Sequence, residues 1–183
     1  DLILNKKILP FKKTINVDSD KSISIRSLLI SSISQGSSLI KNTLESEDVI
    51  SAINCLKKLG VKISKSKKGE YLVFGKGLGS FQIKKGNKLN FGNSGTLARL
   101  LIGILSTTPN IKVYLSGDRS LNNRSMKNLI ELMSQFGAQF YPKNKFKFPL
   151  RLISSELPIK INYKAGVSAQ LKSAVILAGL NSY

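Results

Sequence analysis

The sequence predicts an α/β fold built from a repeated unit, and three observations carry that expectation. Basic residues Arg26, Arg99 and Lys172 recur 73 residues apart, each inside a segment of helical period. Strand-like runs alternate with these segments, as in layered α/β proteins. Two further helical segments each stop at a glycine, Gly60 and Gly137, the residue that most readily takes the left-handed conformation closing a helix.

The elements follow in order. "ISIRSLLISSI" opens a helix with Ile25, Leu28, Leu29 and Ile33 on one face. "SSLIKNTL" reads as a strand, and "SEDVISAINCLKKLG" as a second helix ending at Gly60. "VKISKS" and "EYLVFG" are strands, and "KLNFG" is another that feeds the next copy. The second copy repeats the pattern with "SGTLARLLIGIL", "NIKVYLSG", "SMKNLIELMSQFG", "AQFYPK" and "FPLRLIS". A third begins at "SAQLKSAVILAGL" and reaches Tyr183 after its first helix. An amphipathic helix in that position leaves its apolar face uncovered, so the sequence reads as a piece of a longer protein.

Composition narrows the function classes. The 183 residues are 42% hydrophobic, enough for one sizeable core or two small ones. The longest apolar run, Leu97 to Leu105, is too short to span a bilayer and contains Arg99. A single cysteine, Cys55, excludes an intrachain disulfide and suits a reducing, cytoplasmic setting. Its place in the stripe with Leu56 and Leu59 marks it as core. The formal charge of +19 rests on 24 lysines and only 5 arginines, spread through turn-like pieces such as "KISKSKKGEY" and "YPKNKFKF". That pattern fits solvated faces better than a nucleic-acid surface, which favours arginine and stacking aromatics. With no histidine in the chain, acid–base chemistry falls to lysine, carboxylates or water.

Chemistry gathers at three helix starts: "SDKSIS", "GNSGT" and "GVSAQ". A helix N-terminus offers unpaired N–H groups and partial positive charge, a fit for phosphate or carboxylate. Gly92 and Gly95 allow close backbone approach, Lys21 adds a mobile point charge, and Arg26 and Arg124 add planar forks for oxyanions. Ordinary capping explains any one start; three starts with cations nearby point to a ligand set carrying several negative groups. Two decoys are set aside. "GKGLG" (Gly75 to Gly79) resembles a phosphate loop but reads as a hairpin turn between strands. Glu45, Glu47 and Asp48 lie at a helix start, where the helix dipole alone accounts for them. No metal-ligand spacing is present.

At these segments the sequence closely resembles the 5-enolpyruvylshikimate-3-phosphate synthase family of 3-phosphoshikimate 1-carboxyvinyltransferases. The motifs are "DKSISIR", "LESEDV", "LNFGNSGTLARLL", "GDRSLNNRSM" and "SAQLKSAVILAGLN", in the family's order over nearly the whole chain. The last is most like the bacterial subclass that includes naturally glyphosate-tolerant members. The resemblance implies an α/β prism, in which each of two domains repeats a β-α-β-α-β-β unit three times around a pseudo-threefold axis. Residues 1–17 are then the strand lent to a second domain, and 18–183 most of the N-terminal domain. Its repeats span about 18–85 and 86–155, with a partial third at 156–183.

The implied reaction belongs to the shikimate pathway of aromatic amino acid biosynthesis. It transfers the enolpyruvyl group of phosphoenolpyruvate to the 5-hydroxyl of shikimate 3-phosphate, releasing phosphate, with no metal or other cofactor. The resemblance also implies a monomeric full-length enzyme. By motif, Lys21 touches both substrates and, with Arg124, is catalytic. Ser22, Arg26, Ser168, Ala169 and Gln170 join Lys21 on shikimate 3-phosphate. Asn93, Gly95, Arg124 and Gln170 join it on phosphoenolpyruvate. Acid–base carboxylates and further cations lie in the other domain, so this piece alone is expected to bind shikimate 3-phosphate weakly and turn nothing over. Glycine at 95, where tolerant members carry alanine, implies glyphosate sensitivity in the intact enzyme.

The sequence departs from the family at Asp18-Ser19 (commonly Pro-Gly), Ile25 (commonly polar), Ser125 (commonly proline) and Ala169 (often a second serine). The rivals are the sister transferase acting on a UDP-sugar, which carries asparagine after the lysine and a reactive loop cysteine, and a basic RNA-binding module. Ser22 after Lys21 and a helical Cys55 oppose the first; the lysine pattern opposes the second.

Overall fold

A computed structural model of the chain describes residues 17–83 and 88–182, together with 10, 12, 14 and 15. The expected lent strand, 1–17, falls mostly outside these residues, as does the first repeat boundary near 85.

Helix α1 (Lys21–Ile33) starts the fold, followed by strand β1 (Gln35–Ile40), α2 (Glu47–Lys58), β2 (Lys62–Lys67) and β3 (Glu70–Lys76). The second unit is β4 (Lys88–Asn90), α3 (Gly95–Thr107), β5 (Lys112–Ser116), the short α4 (Arg119–Asn123), α5 (Lys127–Gln135), β6 (Gln139–Tyr141) and β7 (Leu150–Ile153). Helix α6 (Ala169–Asn181) follows. The first sheet orders its strands β1-β3-β2 and the second β4-β5-β7-β6. Both contain the same antiparallel core, with the third strand of the unit between the other two. The second sheet adds β4, parallel to β5 and joined to it through α3.

Repetition is sharpest in the first helices. α1, α3 and α6 have 13 residues each and start at 21, 95 and 169, a spacing of 74 both times. Each N-cap side chain (Asp20, Ser94, Ser168) accepts the N–H three residues on, an interaction worth about 1 kcal/mol. Each C-cap N–H returns to the carbonyl four residues back. The 73-residue spacing of cations therefore slips against the helices. Arg26, Arg99 and Lys172 stand six, five and four residues past their caps, so successive cations are rotated about 100° around the helix. They are not structural equivalents.

Helix α3 is the centre of the molecule, with every residue except Arg99 buried. It packs on α6 closely enough that a side chain at Gly103 would meet the Ala174 carbonyl oxygen at 2.5 Å. At the far end, buried Asn181 of α6 donates to Ile104 O at 3.1 Å and Thr108 Oγ1 at 3.0 Å. Its Oδ1 accepts from Gly79 N at 2.9 Å. These bonds lock the C-terminal ends of α3 and α6 together with the loop after β3, each polar atom being satisfied on burial.

Two local expectations change. "GKGLG" is no hairpin, because β3 ends at Lys76 and the next strand, β4, belongs to the other sheet. Asn181 holds the tip of that connection. The acidic trio is more than a dipole effect. Glu45 accepts from Gly69 N (2.9 Å), Tyr71 Oη (3.0 Å) and Lys65 Nζ (2.8 Å), clasping the β2–β3 turn to the entry of α2. Those donors hold its carboxyl down at about 2, the Gly69 N–H having the largest effect. Asp48 pairs with Lys21. Cys55 is core, 1% exposed, and burial pushes its thiol up to about 12.

Candidate functional site

The helix starts determine which side chains converge. The turn after β4 is set by Phe91 N donating to Ser116 O (2.8 Å), Ser94 N to Phe91 O (3.0 Å) and Asp118 N to Gly92 O (2.9 Å). Gly117 is needed there, since a Cβ would lie 2.8 Å from Gly92 O and 2.5 Å from Leu121 Cδ2. That approach docks α4 beside the α3 start. Asp118 caps α4 through Leu121 N at 2.7 Å, and Arg124, its C-cap, turns back over Asn93. Arg124 Nη2 donates to Asn93 Oδ1 at 2.8 Å and Ser120 Oγ at 3.4 Å.

Gly95, the first residue of α3, lies beneath two guanidiniums. A Cβ built on it would meet Arg99 Nη1 at 2.8 Å and Arg124 Nη1 at 3.4 Å. Arg99 Nη1 also donates to Gly95 O (3.2 Å) and to Gln170 Oε1 (2.8 Å). Gln170 Nε2 in turn donates to Thr96 Oγ1 at 3.1 Å. Arginine can only donate, so this network fixes which way the Gln170 amide points. Burial, and secondarily the Arg124 charge, lowers the Arg99 value from its ordinary level. Arginine nonetheless stays charged at neutral pH.

The α6 start lies alongside. Ser168 caps it through Leu171 N at 3.3 Å, Ala169 opens the helix, and Gln170 crosses to α3. A cleft of about 240 Å³ lined in part by Arg99, Ser125, Lys127 and Ser168 opens beside this junction. A larger groove of about 680 Å³ runs along α5 and residues 138–146, but none of the expected site residues lines it.

Helix α1 joins through Arg26. Its Nη1 donates to Ser22 O at 3.2 Å and its Nη2 to Ser173 Oγ of α6 at 3.5 Å. Lys21 reaches instead to α2, with Nζ 2.8 Å from Asp48 Oδ2. Ile25 is fully buried, so the apolar residue there packs in the core.

Of the expected residues, Asn93, Gly95, Arg124 and Gln170 thus meet at one place, with Ser168 and Ala169 on the adjoining helix turn. Ser22 and Arg26 connect to that helix through Ser173, while Lys21 is held by Asp48 and makes no hydrogen bond or ion pair with the described α3 or α6 groups. Arg99 and Thr96 carry no site role in the sequence motifs, and Asp48 reads there only as a helix-dipole residue. Arg99 was visible only as a repeat marker; its position one turn past Gly95, on the same face, was the signal that it belongs to the junction.

Electrostatics define what the place can hold. Among the described residues, no carboxylate pairs with Arg26, Arg99 or Arg124; the ion pairs there involve lysines alone. Two neighbouring guanidiniums, Arg99 half-buried and Arg124 exposed, repel each other, and an anion between them relieves that repulsion. The α3 and α6 N-termini add N–H groups and positive dipole ends.

Comparison with known proteins bears on the family of the chain. The family model described as EPSP synthase (3-phosphoshikimate 1-carboxyvinyltransferase) matches residues 6–182. A 3-phosphoshikimate 1-carboxyvinyltransferase of Syntrophomonas wolfei is 39% identical over 180 residues, 98% of this chain and 41% of its own length. One from Petrotoga mobilis is 40% identical over 168 residues, covering 91% of this chain and 38% of its own. Among solved structures, the EPSP synthase from Acinetobacter baumannii superimposes with a TM-score of 0.83 at 32% identity, covering 92% of this chain and 38% of that one. The chain thus spans about two fifths of the length of these relatives.

Proposed function

The chain belongs to the EPSP synthase (3-phosphoshikimate 1-carboxyvinyltransferase) family, and on that premise we propose that its helix junction is the anion-binding half of an enolpyruvyl transfer site. The reaction moves the enolpyruvyl group of phosphoenolpyruvate to the 5-hydroxyl of shikimate 3-phosphate. Both substrates carry a phosphate and a carboxylate, so bringing them together requires cations that screen their repulsion. Arg124, with Asn93, Gly95 and Gln170, takes phosphoenolpyruvate; Ser22, Arg26, Ser168, Ala169 and Gln170 take shikimate 3-phosphate. Lys21 serves both, its ammonium helping to protonate or polarise the phosphoenolpyruvate. The junction contributes by preorganisation: donors fixed before the reaction need not reorient as charge develops.

One observation carries the reading. Arg99 and Arg124 converge over Gly95 with hydrogen-bond acceptors around them but, among the described residues, no carboxylate partner. Arg99 is half-buried, and a structural arginine withdrawn from water is usually paired; Arg124 beside it is exposed and open to a ligand. An unneutralised pair of guanidiniums beside two helix N-termini is what a dianionic ligand requires.

The described side chains offer cations and N–H groups here, whereas the family's acid–base carboxylates belong to another domain. On this reading the piece alone binds shikimate 3-phosphate weakly and turns nothing over. Parallel calorimetric titrations with shikimate 3-phosphate and with single-stranded RNA test the proposal. Saturable one-to-one binding of the phosphorylated substrate supports it. RNA binding that falls steeply with salt, with no heat from shikimate 3-phosphate, overturns it.

A further inference from the structure

Lys21 is the first residue of α1, where the helix dipole disfavours a cation and a four-carbon stem leaves the ammonium free to wander. It does not wander here. Asp48 Oδ2 lies 2.8 Å from Nζ, with the Asp48 side chain only 16% exposed against 48% for Lys21. Asp48 is the second residue of α2, where the dipole favours a carboxylate. Lys21 and Asp48 thus bring opposite charges together from the N-terminal turns of two packed helices.

The two helix starts that carry this pair are tied to each other. Leu44 N donates to Ser24 Oγ at 3.0 Å, and Ser24 Oγ donates to Asp20 O at 2.7 Å. This relay ties the segment leading into α2 to the N-cap of α1, so the two helix starts cannot drift apart without breaking these part-buried bonds. An ammonium has three N–H donors. Engaging Asp48 leaves donors available for a ligand while removing much of the side chain's rotational freedom.

We infer that Asp48 is a positioning residue: its carboxylate anchors the Lys21 ammonium at the mouth of the α1 start so that the ammonium meets an arriving phosphate already ordered. The inference rests on the substrate assignment above and extends it to a residue that does not touch substrate. An opposing effect exists, since the Asp48 charge also repels an anionic ligand. The ammonium is in direct contact with Asp48, whereas a ligand beyond Lys21 is farther from the carboxylate and screened by the ammonium between them, so the ordering gain outweighs the repulsion.

Calorimetric titration of shikimate 3-phosphate into the wild type, Asp48→Asn, Lys21→Met and the double variant tests this. Asp48→Asn should weaken binding about tenfold, and the same change in the Lys21→Met background should alter affinity by less than about twofold. Unchanged or tighter binding in Asp48→Asn overturns the inference, as does an equal loss in both backgrounds, which would mark a structural role. Asp48→Ser replaces Asp48→Asn if the latter fails to fold. NMR relaxation of the Lys21 side chain supplies a ligand-free arm: ordered in the wild type and mobile in Asp48→Asn supports the anchor, and equal mobility in both sinks it. If the wild type takes up no shikimate 3-phosphate, the substrate assignment fails, and the relaxation arm still decides whether Asp48 holds the ammonium.

Discussion

Gln170 of α6 and Arg99 of α3 meet at 2.8 Å across the junction of their helix starts, and the same amide donates to Thr96 at 3.1 Å. One side chain thereby satisfies a charged donor and a hydroxyl on a neighbouring helix, coupling the alignment of α6 to that of α3. Replacing it with leucine, close in size but without polar atoms, leaves Arg99 without that acceptor. Gln170→Leu should lower stability by about 1–3 kcal/mol in urea denaturation and weaken shikimate 3-phosphate binding. Unchanged stability together with unchanged binding would show that the bridge contributes neither.

Gly95 gives a different outcome. The atoms a methyl would meet are the far ends of two arginine side chains, which can shift. Gly95→Ala should therefore fold with little change in melting temperature while displacing the Arg99 and Arg124 forks. Phosphoenolpyruvate or inorganic phosphate should bind several-fold more weakly in a calorimetric titration. A large loss of stability with intact anion binding would contradict this placement of the guanidiniums.

Gly103 meets backbone instead. A Cβ there would lie 2.5 Å from Ala174 O and 3.0 Å from Ala174 Cα, so α3 and α6 must separate to admit it. Overpacking of this kind costs about 1–3 kcal/mol, and Gly103→Ala should lower the denaturation midpoint accordingly. The intrinsic helix preference of alanine over glycine works the other way by about 1 kcal/mol. A net stabilisation would mean that the helices are farther apart than described.

Glu45 sets a pH response. Its folded value is lowered from 4.5 to about 2, so the stability it contributes is fully present above the unfolded value. That contribution is lost as pH falls from about 4.5 towards 2. Thermal melts of the wild type and Glu45→Gln should accordingly differ at pH 7 and converge near pH 2. A gap that persists at pH 2 would show that the clasp acts by shape and not by charge.

The repeated unit was legible because glycine stops and apolar periodicity are local signals. Gly60 and Gly137 do follow the second helices, both with positive φ (87° and 99°). The buried face of α1, with Ile25, Leu28, Leu29 and Ile33, followed from spacing alone. The chain order of the site motifs was legible too, yet three of its details were not. Helix α4 lies within "GDRSLNNRSM", five residues with little periodicity, and forms because Asp118 caps it through Leu121 N while Gly117 leaves room for the Leu121 side chain. The one-residue slip between cation spacing and helix spacing shows only once the caps are located. The role of Glu45 depends on partners 20 to 26 residues away across a sheet, which no local pattern reveals.

The most direct test of the account is an NMR titration of the ¹⁵N-labelled chain with shikimate 3-phosphate. Saturating shifts at Ser22, Asn93, Gly95, Ala169 and Gln170 that share one dissociation constant and are reduced in Arg26→Ala are expected. Shifts scattered over the lysine-rich surface without saturation, or confined to one helix start, would contradict a single site formed where α1, α3 and α6 begin.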